Sequence, residues 1–430
     1  MPGVAVVDSG NYSLEIDTGF LLDAFTLDSA TKGILDGAEY VLNGTTEFAE
    51  VLDGINSLTC RRGRRDMGDQ FGAGSLSFTM LDTTGVFNPL NSDSPFFDTA
   101  NDQPGLAPMR RVRLSRYDVY DVKEYLFVGR VVNYDYNFAL GGLDTVTVFC
   151  ADDFYLLSQT DLASFNVSEE LSSTRLSAVL DRPEINFPVA ERDITTGTQT
   201  LGGSAAFTID NGTNALAYCN QINVAEQGRL FMARDGYITF QPRIGNTLSA
   251  PVADFHDDGT NFSYNGVGIS FEANQVINRA SVTILGSNSP QVAEDLASQA
   301  LYFIQTDSIT NSLLHSTGAA LTLSEYLLEP EPTARYTSVQ TEFLMLTVPQ
   351  RDLLATLDIG TTITVEKTFT TSGNSTTELA QELAIEGIEH RIDVNRGHSV
   401  TYWTSPTTVV YQFIVSDAIY GILNADNVLG

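Results

Sequence analysis

The chain has 430 residues, of which 43% are hydrophobic, and a formal charge of −31 from 54 acidic and 23 basic residues. Domains usually hold about 100–200 residues, so this length predicts roughly two to four domains, each with a substantial core. The acidity excludes a protein that wraps nucleic acid, because that function needs Lys and Arg clustered against phosphates.

Neither the N-terminus nor the cysteines indicate a secreted or membrane protein. The first 20 residues lack a basic region followed by a sustained apolar run, and no later segment approaches the roughly 18 apolar residues of a membrane span. We therefore expect a soluble chain without an export signal. Cys60, Cys150 and Cys219 lie far apart, which predicts small buried residues rather than a disulfide framework or a zinc site.

The first domain is predicted to be a β-barrel or sandwich over residues 55–158, after an N-terminal arm over 1–54. Apolar and polar residues alternate in several short segments, which is typical of half-buried antiparallel strands. Residues 123–138 are long and rich in β-branched and aromatic side chains, so they predict a bent barrel strand. Residues 81–109 predict a long loop anchored by Phe87, Phe96 and Phe97.

A small α+β domain is predicted over residues 159–250, where the pattern changes to helical spacing and then to a hairpin. The signals are a helix begun by Ser168, a second helix capped by Thr213 or Asn214 and ended by Gly228, and a hairpin at Asp235 and Gly236.

A second β-barrel is predicted over residues 251–410, with a helical insertion over about 289–333 and a C-terminal arm over 411–430. A turn is expected at Gly360 and a hairpin through residues 395–397. The fold class is therefore mainly β (α+β): two β-barrel or sandwich domains, a small inserted α+β domain and extended terminal arms.

The two predicted arms share a short sequence echo. "FTLDSATKGILDG" at 25–37 and "FIVSDAIYGILNA" at 413–425 carry apolar residues that such short segments cannot bury alone. We predict that these are docking arms, which bind another surface through Phe25, Ile34, Leu35, Phe413, Ile422 and Leu423.

Positive charge is scarce and concentrated. The chain has three lysines and twenty arginines, and eight of the arginines lie between Arg61 and Arg116, in "RRGRR" and "RRVRLSR". A charge run is usually a solvated face. The guanidinium fork nevertheless suits paired contacts with carboxylates at desolvated interfaces, so the alternative is docking against an acidic surface of a neighbouring subunit.

No candidate set for catalysis or metal binding is specific. The four histidines are scattered, and no nucleophile, phosphate-binding or dinucleotide-binding motif occurs. "DFHDDGTNF" at 254–262 has three acids around His256 but lacks a calcium-loop spacing, and reads first as a turn. A pair of carboxylates for glycoside hydrolysis is not excluded, because some of 54 acids always lie close together.

A set of aromatic residues has two interpretations, a sugar-binding platform or ordinary packing between strands. The set is Trp403, Tyr117, Tyr120, Tyr125, Tyr134 and Tyr136.

Several segments in order resemble the minor tail proteins of long-tailed phages, especially those of actinobacterial hosts. They begin with "SLTCRRGRRDMGDQFGAGSLSFTMLDTTGVFNPLNSDSPF" and continue through "GLAPMRRVRL", "LFVGRVVNYDYNF" and "TVTVFCADDFYLLS" to "RDGYITFQPR", "LDIGTTITV" and "IEGIEHRI". The resemblance covers nearly the whole chain. The chain departs from the family in "LDTTGVFNP", where Asn and Arg are usual, and in its greater acidity.

This resemblance implies a structural virion protein at the tail tip, similar in layout to baseplate hub proteins. It implies a homotrimer without catalytic activity, metal or cofactor, assembled in the host cytoplasm. The implied partners are the distal tail ring protein, the C-terminus of the tape-measure protein and other tip proteins, with possible indirect contact to the host cell surface. DNA would pass through an acidic lumen without specific binding.

Within this assembly we predict that seven arginines pair with carboxylates of adjacent subunits or of the ring above: Arg61, Arg62, Arg64, Arg65, Arg110, Arg111 and Arg113. The alternatives are a hexameric distal tail ring protein with one barrel, a receptor-binding or glycan-binding tail protein, and a tail-associated hydrolase. The copy number in a purified tail, glycan binding and assay on host cell wall would distinguish them.

Overall fold

The mainly β, α+β fold class predicted from the sequence is confirmed. The computed structural model describes residues 4–5, 10–22, 45–65, 69–82, 84–99, 102–140, 144–243, 251–370, 376–407, 411–412 and 427–428. Within those ranges no helix combines the length and apolar character needed to cross a membrane.

The first barrel contributes eight strands to the main sheet, in the order β1-β2-β8-β9-β10-β5-β4, with β3 also paired to β2. This part of the chain contains β1 Val4–Ala5, β2 Asn11–Leu22, β3 Thr45–Glu50, β4 Ile55–Gly63, β5 Ser75–Leu81, β6 Phe97–Asp98, β7 Gln103–Pro104, β8 Arg111–Tyr117, β9 Lys123–Asn137 and β10 Thr145–Ala151. The sheet curls back on itself because β3, at one edge, runs through a short 3-10 turn into β4, at the other. The predicted bend in β9 is present, with irregular register against both neighbouring strands.

The middle module packs three helices against a three-stranded sheet and two two-stranded pairs. Its elements are α1 Phe154–Gln159, β11 Asp161–Leu162, β12 Glu170–Leu171, α2 Ser172–Leu180, β13 Arg192–Ile194, β14 Thr200–Leu201, β15 Thr213–Asn214, α3 Ala215–Glu226, β16 Arg229–Met232 and β17 Ile238–Gln241. Helix α3 is capped by the side chain of Asn214, as predicted, and β16 and β17 form the predicted hairpin.

The second barrel contributes seven strands to the main sheet, in the order β20-β24-β27-β26-β25-β18-β19. This part of the chain contains β18 Ala253–His256, β19 Phe262–Ser263, β20 Gly266–Ser270, β21 Arg279–Ile284, β22 Gln291–Glu294, α4 Leu296–Tyr302, β23 Thr306–Ser312, α5 Thr317–Tyr326, β24 Arg335–Glu342, α6 Val348–Thr356, β25 Thr362–Thr370, β26 Thr376–Asp393, β27 Gly397–Pro406, β28 Tyr411–Gln412 and β29 Asn427–Val428. Its edges are again neighbours in the chain, because β19 leads directly into β20.

The two barrels are joined edge to edge by hydrogen bonds between β4 and β26. Ser57 to Gly63 pair antiparallel with Asp393 to Gly387, so both barrel sheets belong to one continuous sheet. Strand β26 is therefore covered on both sides, and Ile385 and Ile388 are fully buried. The long-range pairing makes the two barrels one structural unit.

Four expectations from the sequence need correction. The predicted arm over 1–54 contributes β2 and β3 to the first barrel, where Leu14 and Ile16 are fully buried. Helix α2 begins at Ser172 rather than Ser168, because residues 170–171 pair with β14. The loop over 81–109 contains the short β6–β7 pair.

The fourth correction concerns the insertion over 289–333, which was expected to be helical. It contains α4 and α5, but also strands β22 and β23, which flank β21 in a three-stranded sheet. The polar sequence of β23, "TDSITNS", carries too few apolar residues to give a strand pattern.

Candidate functional site

Strand β4 carries the first arginine cluster and is the strand that joins the barrels. Side chains alternate along a strand, so Leu58, Cys60 and Arg62 point to the buried face, and Arg61 points to the opposite face. The adjacent arginines of "CRRG" therefore have different surroundings. Arg62 is part of the core between modules, and Arg61 faces outward.

Arg62 is internal, with only 2% of its surface exposed. Its Nη1 donates to Asp358 Oδ1 at 2.6 Å and lies 3.4 Å from the carbonyl oxygen of Met232. The same carboxylate accepts the backbone N–H of Arg234. The side chain of Arg62 thus links the first barrel to the other two modules of its own chain, and its contact with a neighbouring subunit stays a prediction.

Glu386 lies at the meeting point of all three modules. It accepts hydrogen bonds from Arg64 Nε at 2.8 Å, Arg229 Nη2 at 2.7 Å and Ser405 Oγ at 2.7 Å. Burial by itself would raise the pKa of Glu386, but Arg229 and Arg64 outweigh it and hold the pKa at about 2. Arg64 therefore also has a carboxylate partner within the chain.

The second arginine cluster lies on β8 and just before it. Arg111 Nη2 donates to Glu191 Oε2 at 2.9 Å, which ties the first barrel to the middle module. The guanidinium of Arg113 lies 4.0 Å from the ring centre of Phe48, and Arg110 Nε donates to the Gly105 carbonyl at 3.0 Å. A contact of these three residues with another subunit stays a prediction.

Arg61 and Arg65 lie together at an open cleft. The guanidinium carbons of both are 5.0 Å from the ring centre of Trp403 on β27. A cleft of about 340 Å³ opens beside them, lined also by Arg64, Asp69, Gln70 and Ser75. This is the place where the structure brings predicted arginines together on an accessible surface.

A chain of buried polar rings crosses between the barrels. Tyr12 Oη, on β2, lies 2.9 Å from His398 Nδ1, and His398 Nε2 lies 3.0 Å from His390 Nδ1. Burial lowers the pKa of His390 to about 3, and the nearby Arg62 lowers it further; burial and His390 keep the pKa of His398 well below its ordinary value. Both rings are therefore neutral at pH 7.

These histidines predict a loss of stability in mild acid. Below about pH 6.5 the unfolded chain binds a proton at each of His390 and His398, whereas the folded chain does not. Each histidine therefore lowers the free energy of unfolding by up to about 1.4 kcal/mol for every unit by which the pH falls. Asp152 opposes them, since burial raises its pKa to about 7 and the folded state takes up that proton. We expect stability to fall by about 1.4 kcal/mol per pH unit between pH 6 and 5 in urea unfolding.

The variant Asp152→Asn removes the opposing proton uptake. The slope in this variant should steepen to about 2.7 kcal/mol per pH unit. The control His315→Gln changes an exposed histidine and should leave the slope unchanged. A flat profile over this range in the Asp152→Asn chain would show that the buried histidines titrate normally.

The other candidates from the sequence are dispersed. His256 Nδ1 lies 3.5 Å from Glu366, Asp257 binds Lys367, and the residues described include no group of three His, Cys, Asp or Glu arranged to hold a metal. Tyr134 and Tyr136 stack along β9 in the first barrel, away from the strand that carries Trp403. The residues predicted to dock the terminal arms, Phe25, Ile34, Leu35, Phe413, Ile422 and Leu423, lie outside the described ranges.

Solved structures share this fold. The tail protein from Neisseria meningitidis MC58 matches with a TM-score of 0.53 and 9% identity, over 84% of this chain and 94% of that one. The 43 kDa tail protein of prophage MuSo2 from Shewanella oneidensis matches with a TM-score of 0.54 and 12% identity, over 84% and 96%. No protein-family model and no curated protein matches the sequence. The chain therefore has the fold of tail proteins.

Proposed function

We propose that this chain is a structural virion protein of a long-tailed phage, a trimeric hub at the tail tip. The observation that carries the proposal is the pair of barrel sheets, of eight and seven strands, joined through β4 and β26 within one chain. Three such chains carry six similar modules, so a threefold tip can close onto a sixfold tail tube. The fold shared with two tail proteins supports this assignment.

The junction between the barrels is suited to that role. A ring of six modules needs the two barrels of each chain at a fixed angle, and flexible linkers would not provide it. Here the barrels share a sheet, and the buried contacts of Glu386 with Arg64, Arg62 with Asp358, and Tyr12 with His398 connect them. The chain would act as a rigid adapter rather than as two tethered domains.

The negative net charge suits a protein that lines a channel through which DNA exits. A trimer would carry −93, three times the −31 of one chain. Acidic side chains around a lumen would keep DNA from adhering by like-charge repulsion. In this proposal the hub contacts the distal tail ring protein, the end of the tape-measure protein and other tip proteins, and has no catalytic role.

The copy number tests the proposal. We expect three copies per purified tail by quantitative mass spectrometry, and a threefold ring with six barrel densities in a cryo-EM map of the tail tip. Six copies, with only one barrel of each chain in the tube, would assign the chain to the distal tail ring instead. Density at the outer end of a fibre would indicate a receptor-binding protein.

A further inference from the structure

We propose that the cleft of Arg61 and Arg65 beside Trp403 binds a carboxylate-bearing segment of a second copy of this chain. The inference rests on the proposed assembly and names one contact that would hold it together. It concerns two of the seven arginines predicted to lie at subunit interfaces, which the structure places in one accessible pocket.

Arg61 and Arg65 belong to the minority of arginines without an ion pair. Most described arginines form an ion pair inside the chain, and even the exposed Arg391 and the half-exposed Arg279 have acidic partners. Within the described ranges, Arg61 and Arg65 have no ion pair. Glu389 lies directly opposite Arg61 in the sheet, but its Oε1 accepts from Arg391 Nε at 2.5 Å.

The two guanidiniums lie close enough to repel each other. Burial lowers the pKa of Arg61 and the charge of Arg65 lowers it further, whereas Glu389 and Asp69 raise it and offset these effects only in part. A further anion between the two guanidiniums would reduce the remaining repulsion. The indole ring of Trp403 also holds both side chains by cation–π contact, so little conformational entropy would be lost when a ligand binds.

The shape of the site favours carboxylates. Guanidinium groups donate paired hydrogen bonds to the two oxygens of a carboxylate, and two of them can clamp one or two acidic side chains. The cleft of about 340 Å³ is large enough for side chains of a loop. A lysine pair would offer point charges without this fixed geometry.

A second copy of the chain is the occupant that the charge favours. Each copy has 54 acidic residues, so strong like-charge repulsion would oppose the approach of a nucleic acid. The same acidity opposes contact between copies, unless positive charge lies at the interface. In this contact the cleft of one copy binds acidic side chains of the next copy. Such a contact is head-to-tail, and three copies related by threefold symmetry close it into a ring.

The test is a double charge reversal in the full-length chain, Arg61→Glu with Arg65→Glu. Sedimentation and native mass spectrometry should show association weakened by about 100-fold or more, because like charges would then meet at the contact. Circular dichroism and the thermal midpoint should show a folded monomer. The matched control is Arg279→Glu with Arg396→Glu, which changes the charge equally at exposed positions and should assemble normally.

The outcomes separate this inference from the proposed hub. If the wild-type chain is a trimer and the Arg61→Glu, Arg65→Glu variant is also a trimer, the proposed contact at the cleft is wrong and the trimeric hub still stands. If the wild-type chain is a hexamer and the variant dissociates, the contact is supported and the trimeric hub is wrong. If the wild-type chain is a monomer, both proposals are wrong. If instead the wild-type chain binds a DNA oligonucleotide and the variant does not, with assembly unchanged, the cleft binds phosphate and the carboxylate assignment is wrong.

Discussion

Replacing Glu386 with glutamine should destabilise the chain by about 3–5 kcal/mol. The carboxylate has 1% of its surface exposed and receives Arg64 from the first barrel, Arg229 from the middle module and Ser405 from the second barrel. Removing one partner of a buried ion pair leaves the other charges desolvated and uncompensated, which costs far more than the loss of a surface pair. Urea unfolding at pH 7 measures the change.

The control for this variant is Glu294→Gln. Glu294 pairs with Arg279, and both side chains are about two-fifths exposed, so the loss should stay below about 1 kcal/mol. Equal effects of the two substitutions would show that Glu386 does not connect the modules. Because the three modules meet at Glu386, the variant should also broaden the unfolding transition or split it into separate steps.

The acid dependence offers a second measure of Glu386. Its folded pKa of about 2 is depressed from 4.5, so its contribution is fully present above pH 4.5 and is lost as the pH falls towards 2. This window overlaps that of the histidines, which extends from about pH 6.5 down to the folded pKa of His390 at about 3. The stability of the wild-type chain should therefore fall more steeply below pH 4.5 than above it, and Glu386→Gln should lack this added steepness.

Local signals in the sequence were sufficient for much of the fold. The hairpins at Asp235–Gly236 and at residues 395–397 each have a glycine at positive φ, 88° at Gly236 and 93° at Gly397, where an L side chain would be strained. Alternation of apolar residues predicted β5, β8 and β10. These features depend on a few neighbouring residues, so a single sequence contains them.

The junction between the barrels has no such signal. Strands β4 and β26 are more than 300 residues apart in the chain, and nothing near either one specifies the other. Which arginine side chains are exposed depends on which residues of β4 face the core. The alternating residues Leu58, Cys60 and Arg62 indicate that face, in retrospect. Glu386 and Asp358 could not be distinguished from 54 acids, because their importance comes from which arginines the fold brings to them.

The histidine pair could have been found by combining two predictions. His390 and His398 lie eight residues apart, which matches no metal-binding spacing on a helix. In a hairpin that turns at residues 395–397, however, His398 pairs with Ile392, so the two histidines are diagonal neighbours on one face of the sheet. The predicted turn already placed them together.

Gly387→Ala should destabilise the chain by about 3 kcal/mol or more and weaken the junction between the barrels. Gly387 lies opposite Gly63 where β26 crosses β4, next to the irregular register that leaves Glu386 without a partner on β27. A Cβ on Gly387 would lie 2.3 Å from the carbonyl oxygen of Arg64, which is backbone and cannot move aside alone.

The matched control for Gly387 is Gly266→Ala. Gly266 also lies in a strand of the second barrel, but a Cβ there would first meet Gln340 at 3.9 Å, an ordinary contact. The control should change the free energy of unfolding by less than about 1 kcal/mol, and urea unfolding compares the two. If Gly387→Ala is as stable as the control, β4 and β26 do not approach closely enough to form one sheet. A rigid hub requires that close approach, so the variant should also assemble poorly at concentrations where its monomer is still folded.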